Sequence, residues 1–294
     1  MLRNGDLLVV NRSRVVPARL LGQTAGGGRA EVLYLFPEPT NPDHFRALVR
    51  PGRKLKEGAE VRLGENERCI VVAIHPDGAR TMRFDGPTKV LDLLNQLGHL
   101  PLPPYIDRAD TPLDRERYQT IYAREPGSVA APTAGLHFTE HLLNRLREKG
   151  VRIHEIMLHV GPGTFARVDA EDIADHRVPP EKYLVPEETA VAYARARENG
   201  DRVVAVGTTT VRTLESATLD GRLMPGPGET DLVIRPGHRF QAVDALVTNF
   251  HLPKSSLLFL VSAFAGTETI RAAYTAAIRG EYRFYSYGDA MFVQ

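Results

Sequence analysis

The hydrophobic pattern changes twice along the chain. Residues 7–10 form a continuous apolar run, as a buried strand presents. Between 17 and 87, short β-type runs recur at 31–36, 45–49, 60–63, 69–74 and 80–84. Turn signals separate them: Gly26-Gly27-Gly28, Pro51-Gly52, Glu57-Gly58, Asp77-Gly78 and Asp85-Gly86. Close spacing without a helical period predicts a small antiparallel barrel or sandwich. From Thr88 the period becomes helical. Val90, Leu91, Leu93, Leu94 and Leu97 form a stripe that Gly98 ends, and Pro101, Pro103 and Pro104 impose an extended segment.

Strands then alternate with helices. Thr139 is expected to cap a helix running to Lys149, with Gly150 at its C-terminal end. Residues 151–160 read as a strand. Pro186, at a first-turn position, opens a helix ending near Asn199-Gly200. Residues 203–206 and 245–248 read as strands, and 211–219 and 257–265 as helices. Thr267 is expected to cap a last helix ending at Gly280. This rhythm predicts an α/β sheet domain, with 7–10 as one of its strands although it precedes the barrel. The expected fold is a mixed-sheet α/β domain (1–16 plus 88–294) with a small antiparallel β-barrel domain (17–87) inserted.

Composition adds exclusions. At 294 residues, 43% hydrophobic and 25% charged, the chain has room for two domains. Its single cysteine, Cys69, rules out disulfides, iron–sulfur clusters and multi-cysteine zinc sites, and its apolar setting suits a small buried side chain. The apolar run 257–266 is far short of the ~20 residues of a membrane span, and residues 1–6 do not resemble a signal peptide. The expectation is a cytoplasmic protein, a monomer, with no metal and no prosthetic group. Net charge is only +1, but residues 1–80 hold 13 Lys and Arg against 9 Asp and Glu. A local basic excess suits a polyanion, and equally a solvated face.

In open α/β sheets, ligands bind beyond the carboxyl ends of the strands, and the loops there are polar. In the first, an apolar strand runs into Gly207, Thr208, Thr209 and Thr210, followed by Arg212 and Glu215. Free N–H groups and hydroxyls of a first helical turn suit a carboxylate or phosphate, although one threonine could simply be a cap and Arg212 could pair with Glu215 along the helix. The second loop, around Thr133, Gly135 and His137, precedes a helix whose N-terminus disfavours an imidazolium, so a neutral His137 could act as a base. In the third, Asn249 and His251 alternate and so share a side of an extended chain. The fourth carries His159 and the Gly161-Pro162-Gly163 turn, which lacks the remaining features of a dinucleotide fingerprint. Near the end, Tyr285, Tyr287 and Asp289 could stack on and hydrogen-bond a base, or pack in the core. His137-Phe138-Thr139-Glu140-His141 also matches the H-x-x-E-H metallopeptidase pattern. That pattern needs both histidines on one helical face, which a cap at Thr139 would prevent. A zinc hydrolase and a non-catalytic RNA-binding protein are the competing classes.

Taken together, the stretches NRSRVVPARL (11–20), GHLPLPPYI (98–106), AAPTAGLHFT (130–139), LHVGPGTF (158–165), VAVGTTTVRTLES (204–216), ALVTNFHLPKSSLLFLVSAFAG (245–266) and YRFYSYGDAMF (282–292) resemble the S-adenosylmethionine:tRNA ribosyltransferase-isomerase family of queuosine biosynthesis. They span nearly the whole chain in family order. The resemblance implies the fold read above, and transfer of the ribosyl moiety of S-adenosylmethionine to 7-aminomethyl-7-deazaguanine in a tRNA anticodon. Epoxyqueuosine-tRNA, adenine and methionine are the implied products. It also implies a segment of several dozen residues ahead of the strand near Asp6, which this sequence does not show.

On that basis His137 or His251 is expected to be the base. Thr208, Thr209, Thr210 and Arg212 are expected to anchor the methionine carboxylate. Thr133, Gly135, His159, Gly161, Asn249, Tyr285, Tyr287 and Asp289 are further substrate-binding candidates. Arg12, Arg14, Arg19, Arg50, Arg53 and Lys54 are expected to contact tRNA phosphates.

Overall fold

The computed structural model describes residues 1–103, 105–165, 168 and 172–294, with the side chains of 164 and 165 left aside; Pro104 of the expected extended segment lies outside the described residues. The strands that matter here are β1 (Leu7–Asn11), β2 (Arg19–Thr24), β3 (Arg29–Pro37), β4 (His44–Arg50), β5 (Glu60–Arg62), β6 (Arg68–Ile74), β7 (Arg80–Asp85), β8 (Arg152–Leu158), β9 (Glu181–Val185), β10 (Val203–Val206), β11 (Gly226–Thr230), β12 (Ala245–Asn249) and β13 (Ala290–Val293). The principal helices are α1 (Val90–Leu97), α2 (Glu140–Glu148), α3 (Glu187–Asn199), α4 (Thr208–Ala217), α5 (Ser256–Ala265) and α6 (Thr267–Arg279).

Two compact units emerge. One comprises Met1–Arg14, Tyr118–Glu125 and Ala131–Gln294; the other comprises Val15–Arg117 and Pro126–Ala130. The first unit is built on a seven-stranded mixed sheet, ordered β11-β9-β8-β1-β10-β12-β13. β1 lies in its middle, parallel to both β8 and β10, and β10 is parallel to β12. The other pairings are antiparallel. A strand buried on both faces must be apolar throughout; Leu7 to Val10 are fully buried. Leu8 and Val10 join Val204, Val206 and Ala245 with Phe138, Leu143 and Leu146 in one core cluster.

The second unit is a closed six-stranded barrel, β2-β3-β4-β7-β6-β5, antiparallel throughout. Closure leaves no open sheet edge. Its interior is the alternate set Leu20, Val32, Tyr34, Phe45, Ala47, Val61, Cys69, Val71 and Met82. Burial pushes the Cys69 thiol up to about 12, so it behaves as a hydrophobe. α1 adds Val90, Leu93 and Leu94 to this core, while Leu91 and Leu97, expected in the same stripe, are exposed. Gly98 ends α1 because a Cβ there would lie 1.9 Å from the Pro17 carbonyl oxygen.

Several boundaries differ from expectation. α4 begins at Thr208 rather than 211, so all three threonines are helical. Pro186 is the N-cap of α3 rather than a first-turn residue, and Gly266 rather than Thr267 is the N-cap of α6. β11 was invisible in the pattern: Gly226-Pro227-Gly228 has low strand propensity, and such a sequence is tolerated because β11 is an edge strand.

Candidate active site

The parallel strands β1, β8, β10 and β12 point their carboxyl ends the same way, and Asn11 and the loops carrying His159, Gly207 and His251 lie at those ends. Asn11 closes β1. Its Nδ2 donates to the Leu158 carbonyl at 3.0 Å and its Oδ1 accepts from Leu158 N–H at 3.0 Å and Ser13 N–H at 3.1 Å. Nδ2 also lies 3.4 Å from Thr209 Oγ1. Asn11 therefore ties the end of β8 to the start of α4. Sequence reading gave it no role, although a polar residue ending a wholly apolar strand was the available signal.

Glycines let these loops approach. Gly207, at φ +88°, turns β10 into α4, and its N–H donates to the Val247 carbonyl at 2.8 Å. The N-cap of α4, Gly207, supplies no side-chain cap, so the first-turn N–H groups lack a partner from that position. The hydroxyls of Thr210 and Thr213 are occupied, donating to the Val206 carbonyl at 2.7 Å and the Thr209 carbonyl at 3.0 Å. Gly135 lies in a short 3₁₀ turn, Thr133–His137, where an added Cβ would sit 2.2 Å from the Tyr122 hydroxyl.

Asn249, at the end of β12, is the hub. It is buried, and its Oδ1 accepts from the Thr133 hydroxyl at 3.0 Å. Its Nδ2 donates to the Tyr285 carbonyl at 3.2 Å and lies 3.0 Å from His137 Nε2. A carbonyl oxygen only accepts, so the Tyr285 contact fixes which end of the amide is nitrogen. That nitrogen only donates, so His137 Nε2 must be the acceptor. The ring is then neutral, with its proton on Nδ1. Burial lowers the His137 pKa, Arg283 adds to the effect, and Asp289 opposes it. Tyr285 sits at φ +74°, a conformation costly for a residue with a Cβ, and its N–H donates to the Phe250 carbonyl at 3.0 Å.

His251 is buried deeper. Its Nε2 lies 3.0 Å from Thr248 Oγ1, its backbone N–H donates to the Tyr274 hydroxyl at 2.8 Å, and burial pulls its pKa down to about 4. His159, just past β8, is also shifted down by burial, and its Nδ1 is buried without a hydrogen-bond partner among the described residues.

Three expectations need correction. Arg212 is not a free carboxylate anchor. It is buried, ion-paired with Glu181, and donates to the Leu232 carbonyl at 2.9 Å and the Thr230 carbonyl at 3.3 Å. Glu181 Oε1 in turn accepts from Gly161 N–H at 2.7 Å, so the pair braces the Gly161 turn. Glu215 does not pair with Arg212 but accepts from the N–H groups of Gln241 at 3.0 Å and Ala242 at 2.9 Å. Asp289 is engaged by Arg283, through its side chain at 3.0 Å and its N–H at 2.7 Å, rather than standing open for a base amine. As expected, Thr139 caps α2 by accepting from Leu142 N–H at 3.1 Å, so His137 lies outside the helix that carries the exposed His141. No His/Cys/Asp/Glu group that could hold a metal ion forms among the described residues.

Thus Thr133, His137, Asn249 and Tyr285 come together, Thr209 is tied separately through Asn11 to the end of β8, and Tyr287 is exposed with its ring beside Tyr118. The expected tRNA-contacting residues divide. Arg12 is mostly buried beside Glu125 and Glu155, at 3.5 and 3.6 Å, and Arg19 is paired with Glu31 at 3.0 Å. Both face carboxylates, Arg12 from a mostly buried position and Arg19 from a largely exposed one. Arg14, Arg50, Arg53 and Lys54 are exposed.

A family model described as "Queuosine biosynthesis protein" matches residues 1–293. The chain is similar to the S-adenosylmethionine:tRNA ribosyltransferase-isomerase of Trichlorobacter lovleyi, at 50% identity over 293 residues, covering 99% of this chain and 85% of the relative. The same-named protein of Moorella thermoacetica is 53% identical over 298 residues, with 99% and 85% covered. Among solved structures, that of the S-adenosylmethionine tRNA ribosyltransferase of Thermotoga maritima is 38% identical, with a TM-score of 0.51, over 100% of this chain and 84% of that one. Matched from end to end by the family model and to about half identity by such relatives, the chain belongs to the queuosine biosynthesis family.

Proposed function

We propose that this chain is an S-adenosylmethionine:tRNA ribosyltransferase-isomerase. It transfers the ribosyl moiety of S-adenosylmethionine to 7-aminomethyl-7-deazaguanine in the anticodon of tRNA and releases adenine and methionine. The carrying observation is the Asn249 hub, which joins the loops of Thr133, His137 and Tyr285 at the carboxyl ends of the sheet in a chain about half identical to relatives bearing that name. Binding at that end of the sheet fits open α/β architecture. The zinc-hydrolase reading finds no support in the placement of His137, and a pure RNA-binding module needs no such convergence of polar loops.

The chemistry sets the roles. The sulfonium acidifies the ribose 5′ carbon; a base takes that proton and adenine departs. The aminomethyl nitrogen then attacks the sugar, and closure of an epoxide expels methionine. His137, held with an N–H at Nδ1, suits donation to the departing adenine. His251 is left as proton acceptor. Its low pKa keeps the lone pair available at neutral pH but weakens it as a base, so its contribution belongs at the lower end of the ~10²–10⁴ range. The uncapped N-terminus of α4 suits the methionine carboxylate. Tyr285 and Tyr287 are assigned to the purine-like ring, with Asp289 acting through Arg283, and His159 and Gly161 to the rim. Arg14, Arg50, Arg53 and Lys54 are assigned to phosphates. The tRNA carries a queuosine-type anticodon, and the enzyme works as a cytoplasmic monomer; no helix among the described residues is long and apolar enough to cross a membrane. We assign the sheet unit, which takes most of the expected 1–16 plus 88–294, to catalysis, and the barrel unit, which takes the expected 17–87 together with α1, to the inserted domain.

Incubation with S-adenosylmethionine and precursor-bearing tRNA, followed by mass analysis, should show free adenine and a tRNA heavier by the transferred group. Tight tRNA binding with no adenine released would sink the proposal. Near-normal turnover in both His137→Ala and His251→Ala would sink the assignment of the histidines.

A further inference from the structure

The outer face of the barrel carries charge that its core does not explain. On β2 the outward positions are Arg19, Leu21 and Gln23, alternating with buried Leu20. Strand register then places the neighbours. Gln23 stands opposite Arg29 on β3 and Arg62 on β5, and Glu31 stands opposite Leu21 on β2 and Arg50 on β4. Two adjacent rows result, Arg29–Gln23–Arg62 and Arg50–Glu31–Leu21. Neighbouring strands lie about 4.8 Å apart, so the Arg29 and Arg62 backbones are separated by roughly 10 Å, with a neutral side chain between them. Gly22 makes the narrow crossing possible, since a Cβ there would meet the Arg62 carbonyl oxygen at 2.2 Å. These rows line an open concavity of about 1100 Å³.

Charge in that concavity is unbalanced. Four arginines line it, Arg19, Arg29, Arg50 and Arg62, against the single carboxylate of Glu31. Glu31 is taken by Arg19 at 3.0 Å. Arg29, Arg50 and Arg62 are exposed, and none is in an ion pair among the described residues. Arg62 even stands directly opposite another arginine, Arg68, in the β5–β6 register, and Arg68 is itself satisfied by Asp85. Like charges opposite one another in a sheet are destabilising. The turn after Arg50 adds Arg53 and Lys54, both exposed. An arginine set that costs stability and holds no counter-charge suits a ligand that brings several negative charges at once. The guanidinium fork matches phosphate oxygens two at a time.

We infer that this barrel concavity is a phosphate-binding groove for the backbone of the tRNA substrate, with Arg29 and Arg62 on either side of Gln23 as its centre. The identity of the polyanion rests on the proposed function. The groove itself rests on register and charge. It gives the enzyme a grip on tRNA outside the catalytic unit, independent of base sequence.

The test uses the full chain and unmodified tRNA. Arg29→Gln combined with Arg62→Gln should weaken tRNA binding at least tenfold near physiological salt. The slope of log Kd against log salt should fall by roughly two, since each lost phosphate contact removes about 0.9. Arg29→Lys with Arg62→Lys keeps the charge and should retain most of the slope. S-adenosylmethionine affinity should match the parent in both variants, and melting temperature should not fall in the glutamine variant, which relieves the repulsion opposite Arg68. An unchanged slope and Kd in the glutamine variant would overturn the groove, as would loss of S-adenosylmethionine affinity in parallel with tRNA affinity. A parent that releases no adenine yet shows the same arginine-dependent salt slope would overturn the proposed function and leave the groove standing.

Discussion

Asn249 decides more chemistry than either histidine beside it. Its amide reads the Tyr285 carbonyl on one side and so dictates the tautomer of His137 on the other. Asn249→Asp reverses that logic: a carboxylate accepts a proton at His137 Nε2 and stabilises the imidazolium. The His137 ring should then titrate at higher pH than in the parent, read from its nitrogen chemical shifts, and turnover should fall by at least about tenfold, within the scale of acid–base contributions. In the parent, nitrogen chemical shifts of the His137 ring should show a protonated Nδ1 and a bare Nε2; the opposite pattern would refute the tautomer without any mutation. His251 makes a separate prediction about stability. Its folded pKa of about 4 lies below the ~6.5 of an unfolded histidine, so the unfolded chain binds the proton first as pH falls. Its contribution is complete above about pH 6.5 and declines toward 4, with about 2 kcal/mol lost by about pH 5. Melting temperatures at pH 7.5 and 5 should therefore diverge more in the parent than in His251→Asn. Equal divergence would mean that His251 is not the residue kept neutral.

Among the elements, α4 shows both the reach and the limit of the sequence. Its preceding strand, its glycine and its run of threonines were legible, because an apolar run ending in Gly207 is a local signal. The partner of Arg212 was not. Glu181 lies 31 positions earlier in the chain, on β9, a five-residue strand whose sequence EKYLV carries no clean alternation. Spacing on the helix suggested Glu215 instead, because i,i+3 proximity is all that a sequence exposes. The barrel strands β3, β4, β6 and β7 were legible from turn signals that lie next to them. The Asn11 bridge and the Asn249 hub were not, since each needs a partner more than 100 residues away. The Arg212–Glu181 pair yields its own test. Removing one member of a buried pair costs about 3–5 kcal/mol, because the other charge is stranded. Arg212→Met should lower the melting temperature strongly, while Arg212→Met with Glu181→Gln should recover much of the loss. If S-adenosylmethionine affinity also returns in the double variant, Arg212 acts by bracing the Gly161 turn; if it stays abolished in a well-folded double variant, Arg212 touches the substrate after all.

At the scale of the whole molecule, chain order and spatial order conflict. β1 is made first, yet it pairs with β8 and β10, whose residues opposite Leu7 are Arg152 and Val203, about 145 and 196 positions later. The barrel intervenes in the chain and closes on its own strands around its own core cluster. The two units therefore depend differently on the first residues. Deleting residues 1–11 removes the middle of the seven-stranded sheet, the Leu8 and Val10 contribution to its core, and the Asn11 bridge. Nothing in the barrel core cluster is lost. Hydrogen exchange should then show amides of β8, β10 and β12 unprotected and those of β3, β4, β6 and β7 still protected. S-adenosylmethionine binding should vanish, and salt-sensitive binding of tRNA through the arginine groove should persist. Loss of protection in both sets together would mean that the barrel needs the sheet to fold; retention in both would mean that β1 can be replaced within the sheet and that its buried run is not what joins the two halves.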